Sequence, residues 1–270
     1  MTAALILAGH SLRRARGLVA SIGVLVCGFQ VLATILAQTF QTSNAFGTIA
    51  ALVPPVVRQT FGASMLAVLS FQGIVCLGYI HPIVIGGVLG AVMAIATEPA
   101  AEIERRFVDL VLARPVSRSA LVTRSVLVMI AACAVLMGLL VIGTWLGLVS
   151  FGAEPALWPS GRLMGSLTAN LAALSLCWGG LTLAIGVRAH RRGVAGSIAG
   201  LAAFATFLLD YVARVWAPAR RISWISPFHY YDPTALLLGQ PLDLTHLWTL
   251  VGVGLAGIAI AYAIFTRRDL

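Results

Sequence analysis

The chain has 270 residues, of which 60% are hydrophobic and only 10% are charged. Soluble domains carry about 25% charged residues, so this composition excludes a water-soluble globular protein and indicates a membrane protein. All 18 basic residues are arginine, and the lack of lysine excludes a P-loop, whose phosphate contacts require one. The four cysteines have no CxxC spacing and are typical of buried free thiols.

Six apolar stretches of about 20 residues predict six membrane-spanning helices, since that length crosses a ~30 Å hydrocarbon core. The spans are predicted at residues 17–38, 75–97, 125–149, 167–186, 194–215 and 247–265. We therefore expect an all-α membrane protein in which residues 1–270 form a single transmembrane domain. Three small-residue spacings within the spans permit close helix packing: Gly86/Gly90, Gly143/Gly147 and Gly196/Gly200.

The distribution of arginine predicts the orientation. With the N-terminus in the cytoplasm, thirteen arginines fall on the cytoplasmic side and five on the outer side, as the positive-inside rule requires. Both termini are then cytoplasmic, residues 39–74 and 216–246 are extracytoplasmic, and the basic charge reflects topology rather than binding of nucleic acid.

Two segments outside the first span have their own character. Residues 1–16 predict a short interfacial helix whose arginines reach phosphate head groups, and a signal peptide is not expected there. The apolar run at residues 64–76 is too short to cross the bilayer, so we expect it to lie on or dip into the outer leaflet.

The stretch EIERRFVDLVLARPVSR, residues 102–118, carries seven of the 27 charged residues. It belongs to the predicted cytoplasmic connection at residues 98–118, between spans two and three. At 100° per residue its apolar and charged side chains separate onto opposite faces: Ile103, Phe107, Leu110 and Val111 on one, and Glu102, Arg105, Arg106 and Asp109 on the other. Pro99 suits a first turn and Pro115 ends a helix, so we predict an amphipathic helix over residues 99–114.

This amphipathic helix has two interpretations. It is either a surface helix whose apolar side lies on the membrane or the bundle, or a docking helix for a cytoplasmic protein. Its polar face carries both signs of charge, which favours docking, because an anionic lipid surface would select arginine alone.

The run from Glu102 to Arg124, EIERRFVDLVLARPVSRSALVTR, resembles the cytoplasmic segment of type-2 ABC transporter permeases. That segment has a glutamate, then Gly-Thr-Leu-Glu, a leucine pair, Pro-Val-Ser-Arg and a lysine. Here Glu102, Asp109, Leu110 and the Pro-Val-Ser-Arg of residues 115–118 match. Arg106 and Phe107 stand where Gly-Thr is usual, and Arg124 replaces the lysine.

The resemblance extends across most of the chain. Residues 1–16 are similar to the family's elbow helix, and both ISPFHYYDPTALLLG (residues 225–239) and the final FTRRDL also resemble family segments. The chain is similar to the small six-span permeases, which include the permease that serves nitrous oxide reductase maturation.

The resemblance implies an ATP-driven transporter of the bacterial cytoplasmic membrane, in which two permease subunits, identical or different, form the pathway. Each would dock on a separate ATPase subunit that binds ATP and Mg²⁺, so this chain would hold no cofactor and would not be catalytic by itself. The helix at 99–114 would be the coupling helix. The implied coupling residues are Glu102, Arg105, Arg106, Phe107, Asp109, Leu110, Arg114, Pro115 and Arg118. Apolar walls suit export of a hydrophobic or amphipathic substrate.

Ionisable residues inside predicted spans are functional candidates by default. His81, beside Pro82 in span two, either makes an interfacial hydrogen bond or lines a pathway. Asp210 either forms a salt bridge with Arg214, four residues later, or takes part in substrate passage.

Other functions have less support. The outer segment WAPARRISWISPFHYYDP is typical of an aromatic belt, with a lid or a docking site for an extracytoplasmic protein as alternatives. His229 and Asp232 lack further nearby ligands, so no metal site is predicted. No GxSxG or HExxH motif indicates catalysis. The rivals are an ion-gradient-driven secondary transporter, which needs charges near the bilayer midplane, and a non-transporting membrane anchor for a cytoplasmic protein.

Overall fold

The computed structural model describes residues 2–43, 67–104, 118–152 and 154–267. Every regular element in these residues is helical, which confirms the all-α prediction. The α-helices are α1 (Thr2–Thr42), α2 (Phe71–Val75), α3 (Pro82–Ala96), α4 (Glu98–Glu104), α5 (Arg118–Phe151), α6 (Gly161–Gly186), α7 (Arg192–Ala213), α8 (Ala217–Arg220), α9 (Pro233–Leu237) and α10 (Leu244–Arg267). Short 3₁₀ helices cover Leu77–Tyr79, Pro155–Leu157, Ser223–Ile225 and Pro227–Tyr230.

Within the described residues, five helices are long and apolar enough to cross a membrane: α1, α5, α6, α7 and α10. Helices α3 and α4 together form a sixth candidate span, with a bend of 43° between them. These helices coincide with the six predicted spans, which confirms a multi-pass helical character. We call one end of the bundle the arginine end, because Arg14, Arg124 and Arg192 meet there around one cavity.

The first helix corrects one prediction. Helix α1 runs without a break from Thr2 to Thr42, through the boundary predicted between residues 16 and 17. Its 41 residues correspond to about 60 Å at ~1.5 Å per residue, about twice the thickness of the hydrocarbon core. The segment contains no proline, and Gly9 and Gly17 each cost a helix only about 1 kcal/mol. The boundary predicted between residues 16 and 17 is therefore not seen, and a separate interfacial helix at residues 1–16 is not confirmed.

Span two begins at Pro82 rather than at the predicted Val75. Two short helices precede it, α2 and the 3₁₀ helix Leu77–Tyr79. Their shortness agrees with the prediction that the run at 64–76 does not cross the bilayer. The His81 side chain caps α3 by accepting a hydrogen bond from the Ile83 N–H at 3.4 Å. Pro82 has no N–H to bond to the preceding turn, so α3 cannot extend backwards.

The irregular backbone before α3 is held by Gln30 of α1, a residue that the sequence analysis did not single out. Gln30 is fully buried, and its Oε1 accepts the N–H of Gly78 at 3.0 Å. Its Nε2 donates to the Thr144 hydroxyl at 2.6 Å and to the Val75 carbonyl at 3.5 Å. Because backbone groups at membrane depth find no water, an amide that both accepts and donates stabilises this non-helical stretch.

Glycines set the closest helix contacts. A Cβ added to Gly143 would lie 2.8 Å from the backbone of Cys27, so α5 packs directly against α1, as the Gly143/Gly147 spacing predicted. Helices α6 and α10 approach just as closely, since a Cβ on Gly180 would collide with the carbonyl of Gly254. These contacts fix the interior pairs of the bundle.

At the end opposite the arginine end, the connection between α7 and α10 folds back onto the bundle. The Phe228 ring centroid lies 6.0 Å from that of Trp178 and 5.5 Å from that of Phe207. The Tyr231 hydroxyl donates to the Tyr79 carbonyl. Phe228 and Tyr231 are thus packed into the bundle, whereas Trp216 and Trp224 of the same connection are exposed, as the predicted aromatic belt requires.

Candidate functional site

The break between α3 and α4 lies at Thr97. Pro99 follows two residues later, and in a continuous helix its ring would clash with the carbonyl four residues earlier, so the helix must be interrupted. The Thr97 hydroxyl donates back to the Ala94 carbonyl at 2.7 Å and helps to end α3. The chain then turns by 43° into α4, which forms the start of the charged segment.

Arg192, the first residue of α7, holds both sides of this break. Its Nε donates to the Thr97 hydroxyl at 3.2 Å, and its Nη2 donates to the Ala94 carbonyl at 3.0 Å. Its backbone N–H donates to the Glu104 carboxylate at 2.9 Å. Hydrogen bonds with a charged partner are the stronger ones, about 1.5–3 kcal/mol each, so Arg192 ties α7 to the end of α3 and to α4.

A buried ion pair ties α4 to α5. Arg124 Nη1 lies 2.6 Å from Glu102 Oε1, and the two side chains are 4% and 10% exposed. A buried pair of this kind contributes little net stability, but losing one partner costs about 3–5 kcal/mol because the other charge stays buried. Helix α4, which forms the start of the charged segment, is therefore anchored to the bundle at both Glu102 and Glu104.

Glu102 corrects the predicted helix faces. We placed it on a charged face available to a partner protein, whereas it is buried against α5. The reason is Arg124, which lies beyond the predicted helix and was considered only as a replacement for the family's lysine.

The structure describes only one of the other predicted coupling residues. The helix predicted at 99–114 is described only as α4, Glu98–Glu104. Lying outside the described residues are Arg105, Arg106, Phe107, Asp109, Leu110, Arg114 and Pro115. Arg118 is described as the first residue of α5.

An apolar groove of about 590 Å³ runs between α3 and α7. The Gly86/Gly90 and Gly196/Gly200 pairs line it, and a Cβ added to any of these four glycines would meet no atom within 4 Å. Within this chain these two spacings are therefore not used for close packing, and they leave open space between the two helices. The groove reaches Thr97 and Arg192, so one end of it is closed by the contacts that hold the break.

His81 and Asp210, the two candidate pathway residues, do not line this groove. His81 caps α3, and its ring packs 5.4 Å from that of Phe29. Asp210 forms the ion pair with Arg214 that its spacing predicted, at 3.1 Å. Both side chains have local partners.

The sequence analysis did not place two residues, Arg192 and Arg124, in this site. Arg192 belongs to an arginine-rich connection that we interpreted only as a topology signal, and Arg124 was noted only for its place in the family pattern. An arginine at the start of an apolar span either extends to the interface or pairs with a carboxylate, so Arg124 was a candidate for an ion pair.

Comparisons with known proteins give no family assignment: no family model matches the chain, and no curated protein shows significant similarity to it. Among the described residues, no group of three or more His, Cys, Asp or Glu side chains is arranged to hold a metal ion.

Proposed function

We propose that this chain is the membrane-spanning subunit of an ATP-driven transporter of the type-2 ABC permease class, and that it exports a hydrophobic or amphipathic substrate. Because the chain lacks a P-loop, ATP and Mg²⁺ would bind to a separate ATPase subunit. The observation that carries the proposal is the position of the groove, which ends at the contacts that anchor the base of the charged segment.

The contacts supply a mechanical route between that segment and the groove. A displacement of α4 would act on α5 through Glu102 and Arg124, and on α7 through Glu104 and Arg192. Since α3 and α7 form the walls of the groove, a shift of α7 relative to α3 would change its width. Packed helices switch between discrete arrangements rather than deforming continuously, which suits a cycle driven by ATP.

The walls of the groove support the choice of substrate class. They are built from aliphatic, aromatic and glycine residues, and Arg192 is their one ionisable side chain among the described residues. Charged residues near the middle of the groove, which an ion-driven transporter would use, are not found in its described lining.

In this proposal the arginine end faces the cytoplasm of a bacterial cell, with both termini on that side, in accord with the positive-inside rule. A second permease subunit would complete the pathway across the open side of the groove, where both glycine pairs leave space. The segment at 105–117 would then reach the ATPase.

The test measures the distance between α3 and α7 across the groove. Spin labels at Ile83 on α3 and Leu201 on α7, which are 77% and 68% exposed, would report this distance in the complex with the ATPase. We expect ATP with Mg²⁺ to shift the distance in the native sequence and in Arg191→Gln. Arg191 is exposed and makes no side-chain cap bond to α7.

In Arg192→Gln the shift should be lost while the ATPase stays bound, because the contacts to Thr97 and Ala94 are weakened. A distance that responds to ATP equally in both variants would contradict the role of Arg192. A proton-dependent shift without any ATPase would instead favour a secondary transporter.

A further inference from the structure

A second cavity, of about 210 Å³, lies at the arginine end between α1, α3, α4, α5 and the first residue of α7. We call it the junction cavity. Unlike the apolar groove, it is lined largely by polar side chains: Ser11, Arg14, Glu98, Arg124, Ser125 and Arg192. None of the functions discussed above uses it.

Arg124 lines this cavity from α5, and its side chain is only 4% exposed. Its Nη1 is bonded to Glu102, and its buried Nε has no hydrogen-bond partner in the described part of the protein. A guanidinium group can only donate hydrogen bonds, so any further partner of Arg124 is an acceptor.

The charge of the lining favours an anion as the ligand of this cavity. Arg14 is exposed, lines the cavity and makes no hydrogen bond or ion pair with another described residue. The lining carries three arginines against one carboxylate, Glu98, and Glu102 neutralises Arg124 from outside the lining. Guanidinium groups bind phosphate with two parallel N–H bonds, so two arginines that converge on one cavity suit an oxyanion with several acceptor oxygens.

We propose that the junction cavity binds a phosphate group, through Arg14 and Arg124. The group could belong to a phospholipid head group or to free inorganic phosphate. The lipid has support in the surroundings, because Leu18 lines the cavity while being 38% exposed. An acyl chain could therefore follow α1 while its phosphate occupies the cavity. A bound phosphate would link α1 to α5 beside the break at Thr97.

The test measures binding to the full-length protein, purified without phosphate in a neutral detergent. Native mass spectrometry would count bound phosphatidylglycerol, and calorimetry would measure inorganic phosphate. The main variant is Arg14→Gln. Its matched control is Arg13→Gln, since Arg13 is also exposed on α1 but does not line the cavity. A third variant, Glu98→Gln, removes the one carboxylate that opposes an anion.

We expect Arg14→Gln to weaken binding by about tenfold or more, as loss of a charged hydrogen bond does, and Arg13→Gln to leave it unchanged. Glu98→Gln should strengthen binding, because like-charge repulsion is relieved. Binding of the lipid with this pattern identifies a head-group site, and the same pattern with inorganic phosphate alone identifies a free-anion site.

The proposal is overturned if neither probe binds, if both arginine variants weaken binding equally, or if Glu98→Gln weakens it. None of these results depends on an ATPase, so they leave the proposed transport function to its own test.

Discussion

The ion pair between Glu102 and Arg124 gives the sharpest prediction about stability. Glu102→Gln leaves the Arg124 charge buried without its counter-ion, and Arg124→Gln does the same to Glu102. Each single variant should lower the free energy of unfolding by about 3–5 kcal/mol, the usual cost of one uncompensated buried charge. The double variant removes both charges and leaves two amides that can bond to each other, so it should cost less than either single change.

The assay is equilibrium unfolding in mixed micelles, with a denaturing detergent as titrant and tryptophan fluorescence as readout. The native sequence, both single variants and the double variant form a double-mutant cycle, which isolates the interaction between the two side chains. An interaction free energy of about 3 kcal/mol corresponds to more than a hundredfold in the equilibrium constant and is readily measured.

Two results would refute the reasoning. One is a double variant whose loss equals the sum of the two single losses, since additive effects mean that the residues do not interact. The other is a loss of less than about 1 kcal/mol in each single variant, which is the value of an exposed ion pair.

Two further predictions concern the packing of α1. Gln30→Leu should lower the free energy of unfolding by about 1–3 kcal/mol, because it leaves the buried N–H of Gly78 without an acceptor. Gln38→Leu is its control on the same helix, since the Gln38 Oε1 already has no partner among the described residues, and an equal loss in both would count against the capping role. Gly143→Ala should cost about 1–3 kcal/mol by overpacking against α1, whereas Gly138→Ala on the same helix meets open space and should be neutral or stabilising. Thermal unfolding in detergent measures the stability of both pairs of variants. Equal losses of stability in Gly143→Ala and Gly138→Ala would contradict the cost assigned to the close contact between α5 and α1.

The large features of this fold could be predicted from sequence because they depend on composition alone. Apolar runs of spanning length identified the five long apolar helices and the region of the bent pair α3–α4, since lipid admits few alternatives for such a segment. The ion pair of Asp210 with Arg214 followed in the same way from helical spacing.

What sequence reasoning missed depends on contacts between distant segments. The partner of Glu102 is 22 positions away, and Arg192 bonds to residues almost a hundred positions earlier. Periodicity within one helix cannot reveal which neighbour covers a given face, so Glu102 was assigned to the wrong environment. The glycine pairs show the same limit, because identical spacings close one helix contact at Gly143 and open a groove at Gly86.

The start of span two was misplaced for a local reason. Apolar residues continue from Val75 through Tyr79, but Pro82 and its cap His81 set the first turn of α3. A proline within an apolar run indicates a helix start, and it should have outweighed hydropathy.

The most direct test of the central claim is to purify the protein from its native membrane in mild detergent and to identify every stoichiometric partner by mass spectrometry. We predict a P-loop ATPase and a second permease subunit. The ATPase should be lost in Phe107→Asp and in Arg106→Glu, and retained in Leu238→Asp, a matched change at an exposed leucine at the opposite end of the bundle. Absence of any ATPase, under conditions that preserve known ABC complexes, would contradict the assignment as an ATP-driven permease.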